Sequence, residues 1–372
     1  MGLFLEAFLN NSRHLKIPYK DVQLATNNFS ETCRIRSSEY FNLYRAELNL
    51  FDIEGSSSTA VKNNGEHPDR PNTVAIKHII SRDDGQDEEY FYNNIGKLTS
   101  VKHPNIVALV GFCVKGSDMI LVIENFCNGY LDDYLDKNSS SSWSSTRKER
   151  EENLPWEKRL QICIDVARAL NYLHCKKSSK NTSSNKKIIL NRDIGRHTIG
   201  LDENWRAKII EFGFSVFLPS DVRIEGLYSK NRGRVCYTDP YDIVCFLRAE
   251  ADVYTFGVVM YEILCGRIAD SPIYLRESEK GLAHVANKAY SKGKLETMID
   301  PSIHMHIGQE NFDRPLFEFD CLARCCVSAT VTLRPSMEEV VMQLESQLQN
   351  ALRVSLLFSE VSVLLIYILH TT

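Results

Sequence analysis

Val74-Ala75-Ile76-Lys77-His78-Ile79-Ile80 is the stretch on which the fold turns. Alternation reads it as a strand, with Val74 and Ile76 on one face and Ala75 and Lys77 on the other. Lys77 is thereby aimed at whatever lies across from the aliphatic core. Downstream, 106–113 (IVALVGFC) and 119–126 (MILVIENF) are two more apolar strands, joined as a hairpin at Lys115-Gly116-Ser117-Asp118. A polar helix ending near Val101 separates them from the first strand. Upstream, 16–30 (KIPYKDVQLATNNFS) reads as a short helix with a turn at Asn27-Asn28, and Ile35 to Leu50 is strand-like. The first part of the chain is therefore small and mostly β, with one helix.

The second half is helical. In 160–174 (LQICIDVARALNYLH) the positions Leu160, Cys163, Ile164, Ala167 and Leu170 make one apolar stripe, the mark of an amphipathic helix. By contrast, 251–264 (ADVYTFGVVMYEIL) is apolar on nearly every face and reads as buried. Ser336-Met337-Glu338-Glu339 follows Pro335 with a capping-box pattern, so a last helix should run to about Leu348.

The chain has 372 residues, 43% hydrophobic and 25% charged, enough for one large domain or two lobes. A net charge of -4, with basic residues spread along the chain, gives no reason to expect nucleic-acid binding. Eleven cysteines, an odd count with no CxxC pair, suit reduced thiols in a cytosolic protein better than disulfides or a zinc site. The start, MGLFLEAFLNN, has Gly2 but no Ser or Thr at the sixth position and no basic leader region, and reads as a helical lead-in.

Segments 51–72, 138–152 and 176–187 are rich in polar residues and read as loops; the last two are alternatively phosphoacceptor or docking segments. Residues 361–369 (VSVLLIYIL) form an apolar run well short of the roughly 20 residues that span a bilayer. Two readings stand for it, a membrane-touching tail and a packed terminal segment. No other segment has the length and apolarity to cross a membrane, so no receptor ectodomain is expected in this sequence.

The order ATNNFS (25–30), VAIK (74–77), HPNIVALVGFC (103–113), NYLH (171–174), NRD (191–193), EFG (211–213), DVYTFGVVMYEILCGR (252–267) and RPSMEEV (334–340) resembles the plant receptor-like protein kinases. It is most similar to the malectin-receptor (FERONIA-like) branch in a receptor-like cytoplasmic form, over residues 16 to 348. The resemblance implies an α+β, two-lobed protein kinase fold, with a lead-in at 1–30, an N-lobe at 31–127, a C-lobe at 128–349 and an apolar tail at 350–372.

It also implies roles, position by position. Lys77 matches the strand lysine that holds the α- and β-phosphates of ATP, but Asn94 stands where its acidic helix partner belongs, with Glu88 and Glu89 one and a half turns upstream. The glycine-rich loop falls on Arg36, Ser38 and Phe41, so it has no glycine, and Glu39 adds negative charge. Ala75, Ile123, Glu124 and Phe126 fall at adenine-side positions, with Ile123 as gatekeeper. Asp193 matches the catalytic base in a degenerate loop. Asn191 replaces the histidine, Gly195 the lysine that steadies the γ-phosphate, and Thr198 the asparagine that ligates the second magnesium.

Glu211 replaces the magnesium-binding aspartate with a longer side chain, which predicts weakened metal binding. On the acceptor side Arg234 and Tyr241 replace a threonine and a glutamate. That glutamate normally pairs with the arginine matching Arg334, leaving Asp242 as the nearest substitute. Asp252 and Arg334 are kept.

Loss of these groups together predicts a pseudokinase acting as scaffold or allosteric partner of active kinases, with weak or no binding of ATP and magnesium and with phosphotransferase activity lost. The alternative is a slow ATP-dependent serine/threonine kinase using Lys77, Asp193 and Glu211. The expected partners are signalling proteins, an active receptor-like kinase among them, and the expected location is the cytoplasm, with peripheral association at the inner face of the plasma membrane.

Overall fold

The computed structural model describes residues 12–49, 72–82, 85–135, 154–175, 187–219, 235–239, 247–303 and 313–353. The lead-in at 1–11, nearly all of the loop segments 51–72, 138–152 and 176–187, the residues Arg234, Tyr241 and Asp242, and the run 361–369 lie outside the described residues. The described residues form two compact units, one from residues 12–102 with Ile106–Cys127, the other from His103–Asn105 and Asn128 onward.

The first unit is a five-stranded antiparallel sheet in the order β1-β2-β3-β5-β4, with β1 Arg34–Ser37, β2 Phe41–Leu48, β3 Asn72–Ile79, β4 Leu109–Lys115 and β5 Asp118–Glu124. The strand-like stretch that begins at Ile35 is thus, as far as Leu48, two strands with a tight turn between them. On β3 the alternation expected from sequence holds. Val74 and Ile76 join a core with Tyr44, Ala46, Cys113, Ile120 and Val122, which the N-terminal helix α1 (Tyr19–Ala25) covers through Val22.

Positive φ angles at Asn27, Asn28 and Phe29 end that helix where the Asn-Asn turn was expected. The segment before it reaches the sheet edge, where Ile17 N–H donates to Phe112 O at 2.9 Å. A Cβ on Gly111 would come within 2.6 Å of Ile17, so the strand there accepts only glycine. Helix α2 (Gln86–Leu98) buries Tyr90, Phe91, Asn94 and Ile95.

The second unit is built on α3 (Trp156–His174) and α4 (Ala249–Cys265). The predicted stripe of α3 is buried, but so are Ile162, Val166, Ala169 and Leu173. Arg159 and Asp165 are interior as well, while Arg168 is exposed and Glu157, Lys158, Gln161 and Asn171 are half-buried. Asp165 accepts the N–H of Ala207, tying α3 to the hairpin of β7 (Ile199–Leu201) and β8 (Ala207–Ile209). A second small sheet pairs β6 (Lys187–Leu190) with β9 (Val216–Pro219).

Around α4 pack α6 (Gly281–Ser291), which follows the short α5 (Pro272–Glu277), and α7 (Asp313–Cys326). The last helix, α8, spans 337–353 in the described residues and opens with the expected capping box, Ser336 Oγ and Glu339 Oε2 each meeting the other's backbone N–H. Among the described residues no helix is long and apolar enough to cross a membrane. The ten described cysteines are free thiols.

Candidate functional site

In the sheet unit the turn between β1 and β2 decides what the glycine-less segment can do. Ser38 Oγ accepts the N–H groups of Tyr40 and Phe41 at 3.2 and 3.1 Å and lies 3.2 Å from Phe41 O. Backbone donors that a glycine-rich loop would offer to phosphate are thus turned onto a side chain of the same turn. Arg36 is buried and Glu39 is exposed.

Lys77, only 1% exposed, has its Nζ 4.3 Å from the centroid of the Phe41 ring and 4.7 Å from that of Tyr90. Both are cation–π distances. Asn94, one turn beyond Tyr90 on α2, directs its amide Nδ2 back to Tyr90 O at 2.9 Å. Glu88 and Glu89 are exposed on the same helix. Ala75 and Ile123 are direct cross-strand partners and fully interior, as is Phe126. Glu124 is spent locally, its Oε1 accepting Ala108 N–H at 2.7 Å.

In the helical unit Asp252, 1% exposed on α4, receives the N–H groups of Asn191 and Arg192, each at 2.8 Å, and its Oδ2 lies 2.9 Å from His174 Nε2. Arg192 adopts φ 68°, a left-handed conformation that costs about 1–3 kcal/mol and persists only where neighbours impose it. Asp252 supplies that constraint. Asn191 completes the brace, its amide donating to Glu211 O at 2.8 Å and its Oδ1 accepting Asp193 N–H at 3.1 Å. Asp193 therefore sits on a well-ordered loop. Its Oδ1 is 4.0 Å from Nε2 of His197.

Thr198 Oγ1 accepts Gly195 N–H at 3.0 Å and lies 2.8 Å from Asp193 O, closing the loop on itself. Phe212 is wholly buried and Glu211 nearly so.

Two further clusters were not foreseen. Arg196 reaches inward, where its Nη1 donates to Tyr237 Oη at 2.8 Å and to Glu262 Oε1 at 3.0 Å, while its Nη2 lies 3.0 Å from Asp270. Tyr237 and the N–H of Ala269 also donate to Glu262 Oε1. Burial pushes the Glu262 carboxyl up from its ordinary value, opposed by Arg196, and holds the Tyr237 phenol well above its own. The only sequence signal was an arginine beside Gly195. In the second cluster Arg334 pairs with Asp239 through two hydrogen bonds of 2.6 and 2.8 Å and also donates to Glu250 O; Asp242, the substitute partner expected from sequence, lies outside the described residues. Asp239, two residues before the substituted Tyr241, provides the fork-shaped partner that a bidentate arginine needs.

Taken unit by unit, the sheet unit carries apolar Ala75, Ile123 and Phe126 with the cation of Lys77, all buried, and the helical unit carries the buried Glu211 carboxylate, one oxygen ligand of the kind a metal takes. The hydroxyl of Thr198 is engaged within its own loop, and among the described residues no cluster of three or more His, Cys, Asp or Glu could hold a metal ion.

Residues 55–344 match the family model for protein tyrosine and serine/threonine kinases. Among curated relatives, the receptor-like protein kinase FERONIA of Arabidopsis thaliana is 32% identical over 91% of this chain and 33% of its own length. HERK 1, another receptor-like protein kinase of the same species, is 31% identical over 94% of this chain and 36% of its own. Wall-associated receptor kinase-like 14, also of Arabidopsis thaliana, is 30% identical over 90% and 41%. The chain spans about a third of the length of these receptor-like kinase relatives. It belongs to the protein kinase family, and its β-sheet unit and helical unit are the two lobes of that fold.

Proposed function

We propose that this kinase-family domain acts in plant signalling as a pseudokinase, a scaffold or allosteric partner of an active receptor-like kinase that binds nucleotide weakly and has lost phosphoryl transfer. The observation that carries this reading is the Ser38 turn, which uses the Tyr40 and Phe41 amides internally at the place where a phosphate cradle would be. Asn94 supports it, since an amide bound to its own helix replaces the carboxylate that would orient Lys77. The proposed location is the cytoplasm, at the inner face of the plasma membrane.

The expected outcome is a small thermal shift with ATP and magnesium or manganese, reduced by Lys77→Met, and no radiolabelled transfer to the chain itself or to a generic acceptor. Transfer that Lys77→Met and Asp193→Asn both abolish would sink the reading. A second reading, a slow serine/threonine kinase, draws on the bracing of the Asp193 loop by Asp252, and the same transfer experiment decides between them.

A further inference from the structure

Gly195 stands where the family has a lysine, and the structure shows what took the space. A Cβ built on Gly195 would lie 2.8 Å from Cε1 and 3.0 Å from Nδ1 of His197. The backbone there is ordinary extended chain, φ -169°, so what a side chain at 195 would meet is the imidazole, which would have to shift to admit it. The same ring meets the Tyr237 ring edge-on with centroids 6.4 Å apart, and its Nε2 faces Asp193 Oδ1 at 4.0 Å. With a third of the His197 side chain exposed, a ligand beside Asp193 can reach it.

We propose that His197 replaces the side chain missing at Gly195, its imidazole N–H holding a phosphate oxygen of a nucleotide bound beside Asp193. Residues 195 and 197 then form an exchange pair in which a donor stands at one position only. The inference rests on the weak nucleotide binding proposed above and names the residue responsible for the phosphate end of it. His197 is here a binding residue, and no turnover is required of it.

The test is titration calorimetry of the full chain with ATP and manganese, after a melting temperature has been recorded for each variant. His197→Ala is expected to weaken binding about tenfold, the worth of one charge-assisted hydrogen bond, without lowering the melting temperature. His197→Lys should keep the affinity, which guards against a fold defect in the alanine variant. Gly195→Lys alone should lower the melting temperature, because the new Cβ meets the ring. In the His197→Ala background the same lysine should be accommodated and recover the lost affinity.

Binding that His197→Ala leaves unchanged overturns the assignment and leaves the pseudokinase reading intact. No ATP binding by the unaltered chain overturns both the weak-binding reading and the assignment. Gly195→Lys tolerated equally in both backgrounds removes the exchange pair.

Discussion

Lys77 in the sheet unit and Asp252 in the helical unit are each about 1% exposed, and the protein surrounds them in opposite ways. Lys77 lies over the faces of Phe41 and Tyr90, an attraction that tolerates ångström shifts of the ammonium. Asp252 takes two backbone N–H groups at 2.8 Å, a contact that fixes direction as well as distance. The difference teaches that the helical unit retains directional polar bracing around its central loop. In the sheet unit two aromatic faces flank the ammonium, and Asn94 stands on α2 where the family's carboxylate would be.

The largest expected effect follows from that bracing. Asp252→Ala leaves two N–H groups of the 191–192 backbone without their acceptor and releases the left-handed Arg192, so a loss of about 3–5 kcal/mol is expected in urea unfolding. Asp193 should become protease-accessible at the same time. A loss under about 1 kcal/mol would break the comparison, because the loop would then be held by packing and not by the Asp252 carboxylate.

The Arg196 cluster sharpens the comparison, since there the helical unit buries opposite charges together. Arg196→Met leaves Glu262, fully buried, without its cation and should cost about 3–5 kcal/mol near pH 8. The Glu262 carboxyl is already raised by burial from an ordinary 4.5, and removal of the arginine that opposes this raises it further. A carboxyl raised in the folded state binds its proton more tightly there than when unfolded. The variant's stability therefore falls as pH rises from about 4.5 through the folded value. Paired urea melts at about pH 5 and about pH 8 should show the smaller penalty at the acid end, and adding Glu262→Gln should remove the pH dependence. A penalty independent of pH would mean that Glu262 finds another cation.

How much of this was legible in the sequence depended on whether a feature is periodic or convergent. The strand through Lys77, the 115–118 hairpin, the buried α4 and the Ser336 cap follow from local spacing, and the structure has them where the spacing put them. The width of the buried face of α3 exceeds the periodic stripe because its interior polar residues, Arg159 and Asp165, interrupt the apolar pattern while being satisfied inside. The Arg334–Asp239 pair joins residues 95 positions apart, and the Arg196 cluster draws on four separate stretches of chain. No spacing rule connects such residues. The role of Ser38 was hidden differently: its identity signalled a lost glycine, whereas its hydroxyl also occupies the turn's own amides.

Ser38→Ala gives the smallest effect and asks most directly whether the sheet unit is closed to phosphate by occupation or by shape. Removing the hydroxyl returns the Tyr40 and Phe41 N–H groups to a half-exposed turn where water can reach them, so the stability loss should be about 0.5–1 kcal/mol, or roughly 2 °C in melting temperature. If the amides are withheld from a nucleotide only because Ser38 takes them, the ATP-induced thermal shift of this variant should exceed that of the unaltered chain. If the shift is unchanged, the Cβ atoms at Arg36, Ser38 and Phe41 keep the backbone away from phosphate whatever the serine does. Ser38→Gly then separates the two causes, because it removes the hydroxyl and the Cβ together and should enlarge the shift where alanine does not.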